Sequence, residues 1–451
     1  MSLAILEGLA LFLAVVGSIS AWGHLLLVDW LDVLTLLLQA AAVSVCCIVA
    51  FYYNDLYDLR IVRSFSEFGS RLLQSFGVAL ILLAAFYMLF PDTRIADGPF
   101  VSSLLMIAGI LLPLRAVGYT IMRRRALSDR VLVLGTGQLA RNIIAEIDAR
   151  PHYRYAIAGV VEEGDVVKEP DLSHPLLGPL ERLDKIVDEI KPDRIVVALA
   201  ERRGRMPMRQ LLEAEAHGVV VEDGVQTYEH FTGKLAIEAL TPSFLIFSGA
   251  FRKSRLLVAL RRLMSLSVAV AGLLLTAPLM ALIALAIKLE SAGPVLFIDE
   301  RAGRGGRPFR LIKFRTMRER ESEPGPYSVW SRDDSSRITH VGRWVRRLRL
   351  DELPQFWNIV KGDMDLVGPR PEILRNVKTM AEQIPYYSLR HVVRPGLTGW
   401  AQTRHGYSVS LEQVTEKMRH DLFYIKHMSL WLDFRILADT VKIVLFGRGA
   451  R

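Results

Sequence analysis

Five long apolar runs constrain this chain more than any other feature of its sequence. Four fall near the start, at about 3–20, 31–53, 70–90 and 99–122, and the fifth is "LMSLSVAVAGLLLTAPLMALIALAI" at 263–287. Each approaches the roughly 20 apolar residues that carry a helix across a bilayer. They are the reason that 51% of the residues are hydrophobic and the mean hydropathy is +0.28. Glu7 sits inside the first run and makes it the weakest of the four. That run has neither the basic start nor the small-residue cleavage site of a signal peptide. Cys46 and Cys47, the two cysteines, adjoin inside the second run, which excludes a secreted disulfide framework. No His/Cys cluster has zinc-ligand spacing.

Lysine and arginine in the loops set the orientation. The connection after the second run carries Arg60, Arg63 and Arg71, and the exit from the fourth reads "RRRALSDR", whereas the other two loops hold acids and only Arg94. Both ends of a four-helix unit are therefore expected in the cytoplasm. The fifth run is flanked by basic residues on both sides: Arg252, Lys253, Arg255, Arg261 and Arg262 before it, Lys288, Arg301 and Arg304 after. The same charge rule keeps both flanks cytoplasmic. Pro278 lies near its middle and lacks the N–H that the helical ladder needs. A helix that enters, breaks at Pro278 and returns satisfies both facts; a straight or kinked fifth span is the alternative.

From Arg130 the pattern changes to short β-branched runs alternating with amphipathic stretches. Strands are expected in "RVLVLG", "YAIAGVVEE", "DRIVVALAE" and "GVVVEDG", with helices near 139–149, 180–190 and 206–217 between them. Such alternation predicts a parallel sheet with helices on its faces. Gly135, Gly137 and Ala140 form a GxGxxA turn of the kind that lets a phosphate approach a helix N-terminus, and Glu162 ends the second strand where a ribose would lie. A tight turn with no ligand explains the same glycines. Nothing in this domain offers a catalytic constellation.

The chemistry gathers after the fifth run. "VLFIDERAGRGGRPFRLIKFRTM" reads as two strands around Arg304-Gly305-Gly306, the second delivering Arg310, Lys313 and Arg315 in alternation. Next, "GRWVRRLR" supplies Arg343, Arg346, Arg347 and Arg349 immediately ahead of the adjacent acids Asp351 and Glu352, with Pro354 at a helix start. Acids at a helix start are ordinary, and exposed ion pairs contribute only about 0–1 kcal/mol. Stability is thus a weak reason for so many arginines beside two acids. A phosphate-handling site explains them better, because arginine forks match phosphate oxygens and a carboxylate can attack phosphorus. A second carboxylate can help hold Mg²⁺. The formal charge of +9 points the same way, to anionic lipid and phosphorylated ligands rather than nucleic acid.

Three motifs add to this. "KFRTM" at 313–317, "LDELPQFWNIVKGDMDLVGPRPE" at 350–372 and "RPGLTGWAQ" at 394–402 resemble the bacterial sugar transferase family, the polyprenyl-phosphate phosphoglycosyl transferases. The early apolar region, the middle domain and the ending "LFGRGAR" extend the likeness to the long, exopolysaccharide-initiating form. The resemblance implies an α/β membrane protein: a four-span region (1–125), a Rossmann-like cytoplasmic domain (126–250), and a monotopic α+β catalytic domain (251–451) with a re-entrant helix at 263–287. It implies that Asp351 is a nucleophile that takes a sugar phosphate from a UDP-sugar, and Glu352 its partner, with Mg²⁺ on the pair. Arg346 and Arg370 match phosphate-binding positions, Lys313 a charged position beside the site, and Arg394 and Gln402 a nucleotide- or sugar-lining motif; Arg315, from the strand reading, joins them as a substrate-binding candidate. Ala277 stands where the family usually has serine before the proline, which removes a side-chain cap at the break.

The implied partners are a UDP-sugar, undecaprenyl phosphate and membrane lipids at the bacterial inner membrane, with the catalytic domain on the cytoplasmic face. A homo-oligomer and polysaccharide-assembly proteins are compatible with this; nucleic acid is not expected. An NAD-dependent dehydratase would need a tyrosine followed four residues later by lysine, and no tyrosine here has that partner. A membrane-anchored nucleotide-sugar sensor or assembly scaffold is the non-enzymatic alternative. His391 and His405 are left without a role, and nothing in the sequence selects the sugar.

Overall fold

A computed structural model describes residues 2–22, 30–54, 56, 65–123, 128–149, 155–163, 173–199, 205–237, 240, 251–318, 337–404 and 410–446. The first four apolar runs form helices α1 (Ser2–Trp22), α2 (Trp30–Tyr53), α3 (Phe65–Leu89) and α4 (Asp97–Arg123). Their inner faces share a core that includes Leu11, Val15, Ala40, Phe51, Leu83 and Ile107. Glu7 is fully buried in this bundle, which is how an acid is accommodated in an apolar helix. Leucines such as Leu73, Leu89 and Leu105 point outward and exposed, as lipid-facing side chains do. By length and composition, α2 and α3 and the later helix Arg255–Glu290 can each cross a membrane, judged on the described residues. The basic loop residues Arg60 and Arg63 lie outside those residues.

The middle domain is a five-stranded sheet of β1 (Asp129–Leu134), β2 (Tyr155–Glu162), β3 (Leu176–Pro179), β4 (Arg194–Val197) and β5 (Val220–Asp223). All pairings are parallel and the order is 3-2-1-4-5. Helices α5 (Gln138–Ala149), α6 (Leu183–Ile190), α7 (Met208–Ala216) and α8 (Gly224–Thr232) alternate with the strands. Strand β3 and helix α8 are additions to the expected pattern. At the GTGQLA turn Gly135 has φ 113°, and a Cβ there would lie 2.6 Å from the carbonyl oxygen of Ala198. Its N–H donates to Val161 O at 2.9 Å. Close packing against β4 is therefore sufficient reason for this glycine.

The last region begins with α9 (Arg255–Glu290), followed by an antiparallel hairpin of β6 (Leu296–Ala302) and β7 (Pro308–Phe314). Then come α10 (His340–Arg347), α11 (Gln355–Lys361), β8 (Asp365–Val367), α12 (Leu374–Gln383), β9 (Gly396–Thr398), α13 (Trp400–Arg404), α14 (Leu411–His427) and α15 (Leu430–Phe446). Where a break was expected at Pro278, α9 runs through the proline as one helix. One side of α9 is held along its length. Arg261, Ser265 and Ala269 are buried towards β8 and α15, and Ile283 and Ile287 pack with Phe314 and Val345 of the hairpin and α10. The other side is apolar and open, with Leu274 at 72% and Leu275 at 82% exposure.

Arg261 is the anchor. Its Nε donates to Asp433 at 2.5 Å, its Nη2 to Val367 O at 2.9 Å and to the Tyr424 hydroxyl, while Tyr424 donates to Asp433 at 2.7 Å. Arg262 beside it donates to Ile359 O at 2.7 Å and Asp365 at 3.2 Å. The middle domain is joined through the Trp400 indole, which donates to Gly233 O at 2.8 Å, and through Lys426, 2.8 Å from Glu229. The helical bundle is joined through the Tyr52 hydroxyl, which donates to Asp439 of α15 at 2.6 Å. Removing one member of a buried, hydrogen-bonded ion pair costs about 3–5 kcal/mol. Arg261→Ala should therefore lower stability by about that amount, measured as the unfolding midpoint of the detergent-solubilised chain. A midpoint equal to wild type would show that α9 does not depend on this anchor.

Candidate active site

Asp351 and Glu352 lie on a single 3₁₀ turn, Leu350–Glu352, between α10 and α11. The residue before it, Arg349, has a left-handed backbone with φ 56°, which costs a non-glycine residue about 1 kcal/mol. Strand β7 delivers Lys313 against this turn. Asn358 of α11 fixes the strand there, accepting from Ile312 N at 3.1 Å and donating to Arg310 O at 2.7 Å. Arg370 arrives from the loop after β8 and donates to Glu352 Oε1 at 3.0 Å. Arg346, at the end of α10, acts on Asp351 by its charge. The structure thus gathers five of the expected residues: Asp351, Glu352, Lys313, Arg346 and Arg370.

Their environments drive the two carboxyls apart. Burial, and next the Glu352 charge, push Asp351 up to about 6, against the pull of Lys313 and Arg346. Burial acts on Glu352 in the same direction, but Arg370, by charge and hydrogen bond, and Lys313 outweigh it and hold Glu352 below its ordinary value. Burial, and then the Arg370 charge, bring Lys313 down to about 8. The turn therefore holds one firmly ionised carboxylate beside one that is reluctant to ionise, ringed by cations. Pairs separated in this way are common where acid, base or nucleophile chemistry is done.

A second layer absent from the expectations holds the loop that carries Arg370. Arg390 donates to Arg370 O at 3.1 Å, to Asp421 at 2.8 Å and to the Tyr387 hydroxyl at 2.8 Å. Glu372 takes Arg390 at 3.3 Å and Lys417 as well. Behind it Gly368 and Gly396 meet backbone to backbone; a Cβ on Gly396 would fall 2.0 Å from Gly368 N. The only sequence signal for this layer was Glu372 inside the motif. Its partners lie far along the chain.

Three expected residues sit elsewhere or differently. Arg315 is buried and donates to Ala292 O at 2.7 Å and to Ser291 O and Oγ at 2.9 Å, so its guanidinium staples the end of α9 rather than facing the dyad. Arg394 lines a cavity of about 610 Å³ at the hairpin tip with Arg304, Arg307 and Asp363, and lies 3.7 Å from Asp365. Gln402 donates to Leu397 O at 3.2 Å and lines a cavity of about 380 Å³ that Arg349 and Glu352 also line. His391 is buried, and burial with the neighbouring Arg390 brings it down to about 4, so it packs as a neutral ring. His405 lies outside the described residues. Among those residues no group of three or more Asp, Glu, His or Cys could hold a metal. Gly135, Gly137, Ala140 and Glu162 lie in the middle domain, separate from the dyad.

The fold and the site together define a membrane-associated α/β chain with a cation-ringed carboxylate pair beside an apolar helix. Residues 256–447 match the model of the family described as "Bacterial sugar transferase". The chain is 41% identical over 280 residues to a UDP-N-acetylgalactosamine-undecaprenyl-phosphate N-acetylgalactosaminephosphotransferase of Aeromonas hydrophila, covering 62% of this chain and 63% of that one. It is 33% identical over 359 residues to an undecaprenyl-phosphate glucose phosphotransferase of Komagataeibacter xylinus, covering 77% and 65%. A UDP-glucose:undecaprenyl-phosphate glucose-1-phosphate transferase of Caulobacter vibrioides is 46% identical over 181 residues, 39% of this chain and 67% of its own. The chain belongs to the bacterial sugar transferase family, and its matches span slightly less than two thirds of the first two relatives.

A carboxyl whose folded pKa is raised binds a proton more tightly in the native state, so its ionisation costs stability as pH rises from about 4 to about 6. Asp351→Asn removes that cost. It should raise the unfolding midpoint at pH 7.5 by the equivalent of roughly 1–3 kcal/mol, with the gain vanishing below about pH 4. A variant no more stable than wild type at pH 7.5 would contradict the strained carboxylate.

Proposed function

We propose that the chain transfers a sugar 1-phosphate from a UDP-sugar to undecaprenyl phosphate and releases UMP, as the first membrane step of exopolysaccharide assembly. The observation that carries this reading is the dyad: Asp351 raised by burial and held among Lys313 and Arg346, with Glu352 kept ionised by Arg370. An Asp351 oxygen attacks the β-phosphorus of the UDP-sugar, and the bond from that phosphorus to the bridging oxygen breaks, so UMP leaves with its electron pair. The product is an aspartyl phosphosugar. A phosphate oxygen of undecaprenyl phosphate then attacks the same phosphorus and frees the Asp351 carboxylate. Lys313, Arg346 and Arg370 offset charge on the transferring phosphoryl group.

Mg²⁺ fits two carboxylates because it keeps waters and takes substrate phosphate oxygens rather than needing an all-protein cage. Glu352 and Asp351 would hold it, where it would neutralise phosphate charge. The relatives named above differ in their sugar, one acting on an N-acetylgalactosamine donor and others on glucose. Family membership alone therefore leaves the sugar open.

The same reading places α1–α4 as four spans of the bacterial inner membrane, with the dyad on the cytoplasmic side. It places α9 as a helix that enters and does not emerge. Its 36 residues extend about 54 Å against a hydrocarbon core of about 30 Å. That length would suffice to cross, but residues before Pro278 pack towards β8 and α15 and those after it on the hairpin and α10, so crossing would pull one half off its partners. Cysteines placed at Ser254 and Ser291 should both resist a membrane-impermeant thiol reagent added from the periplasmic side. Labelling at 291 from that side would make α9 a span.

Membranes carrying the chain, given UDP-glucose, UDP-galactose or UDP-N-acetylgalactosamine with Mg²⁺ and undecaprenyl phosphate, should release UMP from at least one donor. Asp351→Asn should release at least 1,000-fold less, the loss expected of a removed nucleophile. Activity should rise with pH through about 6 as Asp351 ionises and fall above about 8 as Lys313 loses its proton. Full activity in the Asn variant would remove Asp351 as the nucleophile.

A further inference from the structure

The dyad has two unlike sides. Asp351 is answered by Lys313 and Arg346, whereas Glu352 and Arg349 line the cavity of about 380 Å³, which Asp351 does not line. The rest of that wall is apolar: Val268 of α9, Phe356 of α11, Leu397 of β9, and Leu437, Val441 and Val444 of α15. Its hydroxyls are already used. Thr398 and Thr440 bond each other at 2.6 Å, Thr440 donates to Ile436 O at 2.7 Å, and Thr403 to Trp400 O at 3.0 Å. A sugar or nucleotide needs several directed hydrogen bonds, and this wall has few to give.

Building on the reaction proposed above, we infer that this cavity seats the head end of the acceptor lipid, with its phosphate on Arg349 beside Glu352 and its first isoprenoid units between α9 and α15. Three observations on different elements converge on this occupant. Arg349 is a half-buried cation whose charge acts on Glu352, held in a left-handed conformation at the polar end of an apolar wall. A phosphate monoester with a hydrocarbon tail complements that pairing of charge and apolar surface. Gln402 Oε1 is buried there with no hydrogen-bond partner. Finally, Asp439, between Leu437 and Val441 on α15, takes the Tyr52 hydroxyl at 2.6 Å. The end of α2 therefore meets α15 beside this wall, where Val268 and Val441 remain 41% and 46% exposed. The donor approaches Asp351 from the side of Lys313 and Arg346, and the acceptor approaches from the lipid side.

The test separates the two half-reactions in the full-length, detergent-solubilised chain. Exchange of labelled UMP into UDP-sugar without acceptor reports the first; transfer to undecaprenyl phosphate, with its KM, reports the second. Leu437→Trp and Val441→Trp should fill the cavity and raise the acceptor KM at least tenfold more than they slow exchange. Arg349→Gln should raise the acceptor KM at least tenfold, while Arg349→Lys restores part of it. Exchange and transfer falling in parallel in every variant, or an unchanged acceptor KM, would overturn the assignment. So would a variant effect abolished by added phosphatidylglycerol, which would make the cavity a seat for bulk phospholipid. Absence of both exchange and transfer in wild type would defeat the proposed reaction itself, and this assignment with it.

Discussion

The buried guanidinium of Arg261 is the contact on which the arrangement of this protein depends. A charge removed from water is costly unless its partners replace the lost hydration. Here Asp433, Tyr424 and the Val367 carbonyl do so, and they come from α15, α14 and β8. One side chain on an apolar helix thus ties together the elements that surround the dyad. Arg262 repeats the device on α11 and β8. Because the fixed points lie on α9 itself, the distance between the carboxylates and the apolar face of that helix is set by packing rather than by a loop.

The dyad is built on the same economy of charge. Two adjacent carboxylates repel, and burial penalises both, yet the cations are placed unequally. Arg370 binds Glu352 directly, while Asp351 receives the fields of Lys313 and Arg346 and a backbone hydrogen bond. The result is one stable anion and one poised to react or to take a proton near neutrality. Arg370 can be so placed because Arg390, Glu372, Lys417 and Asp421 clamp its loop from behind. Gly368 and Gly396 let that loop lie directly on the strand that leads to Gln402.

Much of this was legible in the sequence because it is local. Apolar length marked α1–α4 and α9, β-branched runs marked β1, β2, β4 and β5, and the glycine pair marked the β6–β7 turn. Runs of arginine ahead of two acids marked the site. What could not be read was decided at a distance. Strand β3, "LLGP", has no strand periodicity of its own and exists because β2 offers it an edge. Alternation along β7 put Arg315 with Lys313, but the chain leaves the strand at Phe314 and Arg315 turns to the carbonyls at the end of α9. Pro278 suggested a broken helix, while α9, supported along one side, stays helical through it. The Arg390 cluster joins residues up to 45 positions apart, which no local pattern encodes.

The bond from Tyr52 to Asp439 spans 387 positions. At ribosomal speeds of about 5–20 residues per second, roughly 20–80 seconds separate the emergence of its two ends. During that interval the early apolar helices have been made while the helix that will meet them does not yet exist. They must therefore hold their arrangement with their own core, which is why Leu11, Ala40, Phe51 and Leu111 are buried against one another rather than against the later region. Biosynthesis thus makes the early helices a finished platform, and α15 a late arrival that closes back on them across nearly the whole described chain.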